Sequence, residues 1–405
     1  MCVENVKAQV FKKPLFKKKH FNTKDSTEVQ SKTYERADWK KIEFDFLNSY
    51  YSQDGNNGAV TGGIGTEQLT DFTQKLIVKY PLNKSTKLNV DVAYDYYTSA
   101  STDNINNIRS SDSAADIRSQ LGMGIERSFS DQVSGGFRLG TSVEYDYTSF
   151  HGGAYFNHIS KDGNTSISVN GQAFVDQWMI IFPVELRGRV SLPTDKRQSY
   201  NGAIGFNKVL SKRMQFSLMA ETTYMKGLLS TPFHRVYFAN RDLADIERLP
   251  SSRLKNSLGT RINYYASNNI ILRGYYRYYW DDWGMDGHTF NFEMPVKLNR
   301  FFSIYPHYRF HTQTAVDHFA PYREHLFGDQ VQGQFYTSDF DLSELQSHTY
   351  GLGLLYSPAS PIASIGIPFA KRKLQLEAID LKGSIYDRST GLKGWIVSMG
   401  FKMSF

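Results

Sequence analysis

The charged side chains are the residues whose positions bear most directly on function, and they separate by sign along the chain. In segments where apolar and polar residues alternate, acidic groups come early and basic groups come late. The acidic wall is defined as Glu43, Asp45, Asp91, Asp95, Glu144 and Asp146, and the basic wall as Lys255, Arg261, Arg273, Arg277, Lys297 and Arg309. If these walls faced each other across an enclosed space, their field would orient and filter charged or dipolar solutes. The alternative is that the same groups pair with one another in an interior filled by side chains.

Oxygen ligands for a cation occur together in one segment, at Asp339, Asp341 and Glu344. Their spacing resembles the start of a calcium loop, but Glu344 takes the sixth position, where an EF-hand turn needs glycine. A solvated loop is the better interpretation, so the sequence assigns no metal site. Cys2 is the only cysteine, which excludes an intramolecular disulfide and a cysteine metal site.

Hydrolytic chemistry has one candidate set, formed by Asp281, Asp282 and His288. Outer-membrane proteases of the omptin type hold Asp and His around an activated water at a barrel rim, where these residues are predicted to lie. Acidic groups at a rim are more often solvated or bound to lipopolysaccharide. The chain also lacks a Gly-Lys pair for a phosphate loop, a Gly-x-Ser-x-Gly elbow and a His-Glu-x-x-His motif. We expect no enzyme and no cofactor, with a rim-located outer-membrane hydrolase as an alternative.

Alternation with a period of two supplies the elements that would position these residues. Sixteen such runs can be drawn after residue 40, and strand side chains alternate faces, so each run has one apolar and one polar face. The last run places six apolar residues on one face: Trp395, Val397, Met399, Phe401, Met403 and Phe405. A terminal aromatic residue such as Phe405 also resembles the signal read by the bacterial barrel assembly machinery.

The connections between runs alternate between short and long. Tight turns such as Lys161-Asp162-Gly163 follow even-numbered runs, whereas long connections over 52–68, 98–116, 177–199, 226–251 and 315–345 follow odd-numbered runs. The fourteenth connection, 358–371, is longer than a turn on that side should be. The pattern predicts an all-β fold, a transmembrane antiparallel up-and-down β-barrel of about 16 strands (range 14 to 18), with short periplasmic turns and long extracellular loops.

Composition agrees with a barrel in a membrane. The chain is 40% hydrophobic and 15% aromatic, which fits aromatic girdles around a polar interior. No run approaches the ~20 apolar residues of a membrane helix. Only helices and closed barrels satisfy every backbone group in lipid, so a membrane protein of this sequence has to be a barrel.

Positive charge is concentrated at the amino terminus. Residues 1–41 carry eleven Lys or Arg and five Asp or Glu, which accounts for +6 of the total +7. This distribution predicts a disordered basic periplasmic arm over 1–39 ahead of a barrel domain over 40–405, and argues against nucleic-acid binding. Val6-Lys7-Ala8 before Gln9 is similar to the end of a cleavage site, which suggests a signal-peptide remnant over 1–8.

Three loop blocks have a distinctive composition. The first, called the family-like loop, contains Asp54, Gly55, Asn56, Asn57, Thr61, Gly62, Gly63 and Gly65. The others are Tyr279-Trp280-Asp281-Asp282-Trp283-Gly284 and Asp341-Leu342-Ser343-Glu344-Leu345. These blocks resemble a Bacteroidota family catalogued as domain of unknown function 3570. The resemblance lends no activity. It implies an outer-membrane barrel with a signal peptide, often encoded near flavin-transferase and thioredoxin-like proteins.

These observations lead to a functional expectation. The protein is predicted to lie in the outer membrane of a Gram-negative, Bacteroidota-like bacterium, in contact with lipid and lipopolysaccharide. Its expected function is that of a porin-like channel or facilitator for a small hydrophilic solute. The first alternative is a non-conducting barrel that serves as a scaffold or docking partner for periplasmic redox proteins.

Overall fold

The alternating segments form long antiparallel strands. The structure, a computed structural model, describes residues 40–98, 115–183, 194–328, 334–366 and 373–405, so the predicted arm over 1–39 lies outside the described residues. The first nine strands are β1 (Glu43–Asp54), β2 (Leu69–Pro81), β3 (Thr86–Thr98), β4 (Ala115–Ser128), β5 (Val133–Val143), β6 (Tyr147–Ile159), β7 (Thr165–Met179), β8 (Thr194–Ser211) and β9 (Met214–Gly227).

A short hairpin of β10 (Arg235–Phe238) and β11 (Arg241–Ile246) stands apart as its own two-stranded sheet. The remaining strands are β12 (Ser252–Tyr265), β13 (Ile271–Asp281), β14 (Asp286–Glu293), β15 (Val296–Lys297), β16 (Phe302–Gln313), β17 (Leu345–Tyr356), β18 (Ala363–Gly366), β19 (Lys373–Arg388) and β20 (Lys393–Ser404).

The main sheet closes on itself. Neighbouring strands pair antiparallel in chain order, and β1 pairs with β20 from Glu43 opposite Ser404 to Asp54 opposite Lys393. Backbone hydrogen bonds between Ile42 and Phe405, of 3.1 and 2.9 Å, extend this seam. Closure leaves no unpaired edge, which is the requirement for a sheet surrounded by lipid.

Two of the barrel strands consist of two segments each. β14 and β15 both pair with β16 and are separated at Pro295, which has no backbone N–H to donate. β17 and β18 both pair with β19, so they form the fourteenth barrel strand together. The main sheet is therefore a closed 16-stranded antiparallel barrel, and the predicted fold is confirmed. The segment over 358–371 seemed too long for a turn because it contains β18.

The two faces of the barrel differ in chemistry. Large apolar side chains such as Phe137, Leu139 and Phe150 point outward and are 56–63% exposed. Aromatic pairs cover the outer face of the closing seam, with Tyr50 and Trp395 rings 5.0 Å apart. Inward positions are polar, and Asp91 and Asp176 are buried there. An apolar exterior around a polar interior is the reverse of the arrangement in a water-soluble sandwich.

The described helical segments are two three-residue 3-10 helices, Ala59–Thr61 and Phe340–Leu342. None of the described helices has the length and apolar character needed to span a bilayer.

The two ends of the barrel are unequal. One end, here the long-loop end, carries the connections 55–68, 228–251 and 314–344 together with the shorter 144–146, 282–285 and 389–392. The opposite end, here the short-turn end, carries tight connections such as 82–85, 129–132 and 160–164. Asn83 and Asp162 accept hydrogen bonds from backbone N–H groups of these turns, as turn-forming Asx residues do.

Candidate functional site

Three long connections, 55–68, 228–251 and 314–344, pack together at the long-loop end through their described residues (329–333 are outside these), and we name them the cap. The first joins β1 to β2 and the second joins β9 to β12, half-way round the barrel. They nevertheless touch, because Arg235 Nη1 donates to the carbonyl of Val60 at 2.7 Å. A barrel of sixteen strands is roughly 30 Å across. Loops from opposite walls can meet only over or within the lumen, so the cap crosses the barrel opening.

The cap has an apolar core of its own. Val236, Phe238 and Tyr336 are buried to within 1% of complete, and the rings of Phe238 and Tyr336 meet edge to face at 5.1 Å. Backbone hydrogen bonds of 2.7 and 3.1 Å join Arg248 to Tyr336. Burial of each large apolar side chain contributes ~1.5–3 kcal/mol, so the cap is a packed unit and not a set of independent loops.

A second apolar cluster fastens the cap to the barrel rim. Trp283 and Met285 lie at the rim and pack with Leu249 and Val316, one from each of two cap loops. The indole N–H of Trp283 also donates to the carbonyl of Ser252 at 2.9 Å.

Two glycines of the family-like loop allow its close approach to the other cap loops. Gly62 and Gly63 have φ of +83° and +85°, a region that favours glycine. A Cβ on Gly62 would lie 2.6 Å from the Tyr237 ring, and one on Gly63 would lie 2.7 Å from the carbonyl oxygen of Ser338.

The other residues of the family-like loop also have structural roles. Asn57 Nδ2 donates to the Thr390 carbonyl at 2.6 Å, and Thr61 Oγ1 donates to the Gly58 carbonyl at 3.0 Å. The remaining members are placed as follows: Asp54 accepts from Gln68 at 3.4 Å, the Gly55 carbonyl accepts from Glu67 N–H at 2.8 Å, Asn56 lies beside Gly391, and Gly65 has φ of +80°. This block therefore shapes one wall of the cap.

A buried arginine, Arg388 at the end of β19, ties two cap loops to the barrel wall. Its guanidinium lies 2.5 Å from Asp341 and 3.6 Å from Glu67, and its Nε donates to Thr390 Oγ1 at 2.6 Å. Only 3% of the Arg388 side chain is exposed. We name Arg388, Asp341 and Glu67 the latch.

The latch carboxyl of Glu67 is electrostatically unusual. Burial raises the pKa of Glu67 to about 7, although the Arg388 charge acts in the opposite direction. The carboxylates of Asp341 and Asp339 raise it further, while His234 lowers it. Glu67 therefore changes protonation near neutral pH within the cap.

The three residues predicted as hydrolytic do not converge. Asp281 is fully buried and accepts hydrogen bonds from Arg253 Nε, Tyr279 Oη and the backbone N–H of Trp283 and of Met285. Asp282 accepts from the N–H of Leu254 at 2.9 Å. His288 lies on the outer face, where its Nδ1 is 2.8 Å from Tyr276 Oη. Asp281 is thus a structural carboxylate, with its lone pairs already used.

Three residues of the acidic wall, Glu43, Asp45 and Asp91, lie close to cations. Glu43 and Asp45 lie 3.7 and 3.8 Å from Lys79 Nζ. Asp91 is paired with Arg138 and lies 3.5 Å from Lys75. Asp95 lies opposite Arg118 in the register of β3 and β4, beside the Gln120 amide.

Glu144 and Asp146 are placed in the 144–146 connection and not in a strand. β5 ends at Val143 because the Glu144 N–H donates to the Tyr147 carbonyl at 2.7 Å, which closes a tight turn. Glu144 accepts from Tyr97 Oη at 2.8 Å and lies 3.3 Å from Arg118. These two acidic residues therefore stand at the rim, where their carboxylates lie close to that of Asp116.

The basic wall occupies inward positions of the later strands. Arg273 pairs with Glu293 at 2.6 Å, while Arg261 and Arg277 lie over the rings of Tyr275 and Tyr279. The remaining three are placed by register: Lys255 opposite Asp281, Arg309 opposite Asn291, and Lys297 opposite Ser303 beside an open cavity of about 560 Å³. A field between the two walls stays a prediction.

The three residues whose spacing resembles the start of a calcium loop also separate. Asp341 belongs to the latch, and Asp339 caps the 3-10 helix by accepting the Asp341 N–H at 2.9 Å. Glu344 is exposed at the start of β17. Instead, Asp339 Oδ2 lies 3.8 Å from His234 Nδ1, which is 3.7 Å from Glu247 Oε1. Sequence reasoning missed this group because the three residues lie far apart in the chain and only cap packing joins them.

A protein family of unknown function matches about half of this chain. The profile of the family described as "Protein of unknown function (DUF3570)" matches residues 156–360. No curated protein matches the sequence.

Solved structures show similar backbones. A bacterial polysaccharide outer membrane secretin is 11% identical, with a TM-score of 0.48, covering 91% of this chain and 99% of its own. The siderophore receptor PirA from Pseudomonas aeruginosa is 9% identical, with a TM-score of 0.41 and coverages of 89% and 80%. Pseudomonas aeruginosa OccK1 (OpdK) is 6% identical, with a TM-score of 0.41 and coverages of 90% and 98%. The assignment of a barrel rests on the strand pairing itself.

Proposed function

We infer that this chain, which belongs to the family described as protein of unknown function (DUF3570), is an outer-membrane channel that passes a small hydrophilic solute under control of the cap. The proposal includes location in a Gram-negative, Bacteroidota-like cell, with the short-turn end in the periplasm and the long-loop end outside. Three features support it: exposed charge in the lumen, an apolar outer face and a packed cap.

The observation that carries the proposal is the solvent exposure of charged side chains in the lumen. Arg138 points inward near the middle of β5, and 46% of its side chain is exposed. Lys79 and Arg273, also inward, are 41% and 44% exposed. All three have carboxylate partners, but in a lumen filled by packed side chains such pairs would be buried, and these cations are not. Solvent-exposed charge at mid-barrel supports a water-filled path.

The outer face supports placement in a membrane. Exposed apolar side chains recur around the barrel, and a soluble protein rarely leaves so large an apolar area uncovered. Each of the sixteen barrel strands pairs with both of its neighbours, which a sheet in lipid requires, although the short segment β18 pairs with β19 alone. Lipid and lipopolysaccharide are the proposed neighbours of this face, and Phe405 is the proposed signal for the barrel assembly machinery.

The path is tested by charge substitution in the lumen with a neighbour on the outer face as control. Purified protein in a planar bilayer should conduct, and Arg138→Gln should shift the reversal potential toward cation selectivity because Asp91 then loses its nearest cation. The adjacent Leu139→Phe, which changes only the outer face, should leave selectivity unchanged. Liposome swelling with sugars and amino acids then identifies the solute class. Absence of current from a correctly folded barrel would refute the channel.

The cap favours a second candidate, a barrel that stays shut and serves as a docking scaffold for periplasmic redox proteins. Its loops meet across the mouth, where Arg235 donates to the carbonyl of Val60. In that case no solute passes, and periplasmic partners co-purify after cross-linking at the short-turn end. Conduction without any cross-linked partner would exclude the scaffold.

A further inference from the structure

The cap contains a group of side chains with the composition of a metal site. The group consists of His234 from the 228–251 loop, Glu247 just after β11 and Asp339 from the 314–344 loop, each with one possible ligand atom close to the other two. His234 Nδ1 lies 3.7 Å from Glu247 Oε1 and 3.8 Å from Asp339 Oδ2. All three ligand atoms lie within 4.8 Å of one another.

The imidazole nitrogen is shut away from water without a hydrogen bond. Nδ1 of His234 is buried and has no hydrogen-bond partner, and separations of 3.7 and 3.8 Å are longer than hydrogen bonds. Buried polar atoms are normally paired, so an orphaned nitrogen aimed at two carboxylates requires an explanation. Ligands of one ion at ~2.1 Å lie at most ~4.2 Å apart, and both nitrogen–oxygen separations satisfy this limit.

The carboxylates are held in place by a second layer of hydrogen bonds. Glu247 accepts from Thr337 Oγ1 at 2.6 Å and from the N–H of Thr231 at 2.7 Å. Asp339 accepts from the N–H of Asp341 through its other oxygen. Such outer hydrogen bonds orient ligands in metal sites. Glu247 Oε1 and Asp339 Oδ2 remain within 4 Å of His234 Nδ1.

We propose that His234, Glu247 and Asp339 bind a divalent transition-metal ion of the Zn²⁺ class, which clamps two loops of the cap together. One imidazole and two carboxylates suit Zn²⁺, whereas Ca²⁺ prefers oxygen ligands alone. The ion would neutralise the buried Glu247 and would join the 228–251 loop to the 314–344 loop. This inference concerns the cap alone and does not depend on conduction through the lumen.

Metal binding by the purified full-length barrel tests the site. After chelator treatment, we expect about one Zn²⁺ per chain by calorimetry and elemental analysis, and no displacement by excess Ca²⁺. Replacement by Co²⁺ should give visible d–d bands from the bound ion. His234→Ala should weaken Zn²⁺ binding by ~100-fold or more, since loss of a direct ligand exceeds the 10–100-fold cost of losing an outer partner. Glu247→Gln gives an independent second variant that keeps the side-chain shape.

His318→Ala is the matched control, because His318 lies in the same cap, its ring contacts Phe335 at 5.3 Å, and it is not one of the three proposed ligands. It should bind Zn²⁺ as the wild type does. Retention of the folded barrel in each variant is checked by its heat-modifiable migration in gels. A wild type that binds no Zn²⁺, or Zn²⁺ bound equally by His234→Ala and by the other proteins, would overturn the site. Since no current is measured, that outcome leaves the proposed channel standing.

Discussion

The latch offers the sharpest test of the cap as a gate. Arg388→Ala removes the cation that lies between Asp341 and Glu67 while leaving both cap loops intact. Loss of one member of a buried ion pair costs ~3–5 kcal/mol. Two features reduce this figure here: 54% of the Asp341 side chain is exposed, and Glu67 can take up a proton instead of remaining a stranded charge.

We therefore expect a cost of ~2 kcal/mol, which lowers the ratio of closed to open cap roughly 30-fold. Single-channel recording should show a matching rise in open time, and limited proteolysis should cut the cap loops sooner. Arg273→Ala is the control, because Arg273 pairs with Glu293 far from the cap, in a pair that is 44% and 29% exposed. That pair is worth ~1 kcal/mol at most, and its loss should not change gating.

The opposite result would refute the reasoning in a specific way. If Arg388→Ala showed wild-type open time and wild-type proteolysis, the apolar clusters alone would hold the cap. If proteolysis accelerated but the current did not change, the cap would open without controlling passage.

Two further predictions concern the cap. The pKa of Glu67 is raised to about 7 in the folded cap, so the cap binds a proton more tightly than the unfolded chain. The contribution of Glu67 to cap stability is then fully present below about pH 4.5 and is lost as the pH rises through about 7. In limited proteolysis at a series of pH values, Glu67→Gln should reduce this pH dependence. An unchanged dependence in the variant would contradict the assignment. Gly63→Ala combines positive φ with a 2.7 Å clash and should destabilise the cap by ~2 kcal/mol or more, measured by hydrogen exchange. Gly163→Ala has a similar φ of +70° but open space, so equal losses in both variants would exclude the clash.

The barrel could be predicted from the sequence because its information is local. Each strand needs only a period of two, and runs such as Leu88 to Tyr96 show that period without reference to the rest of the chain. The exception is β18, whose Ala363–Gly366 segment follows Ser-Pro-Ala-Ser-Pro and has the composition of a loop. Pairing with β19, and not local preference, makes it a strand.

The cap could not be predicted in the same way. His234, Glu247 and Asp339 carry no periodic relation, and their association depends on the packing of Phe238 against Tyr336. The outward position of His288 could be predicted from the sequence, because alternate residues of a strand lie on the same face and Phe290 and Phe292 are apolar. Asp281 was recognisable as acidic but not as buried, because its partners Arg253 and Tyr279 come from separate positions of two strands.

The seam between β1 and β20 has a consequence for biogenesis. Its hydrogen bonds join Ile42 to Phe405, near the two ends of the described chain. Closure of the barrel therefore requires contacts between residues with nearly the largest sequence separation in the domain. Contacts of such separation form slowly, and until they form two bare strands can recruit other chains. We therefore expect the pairing of β1 with β20 to be the slowest contact to form during assembly of this barrel.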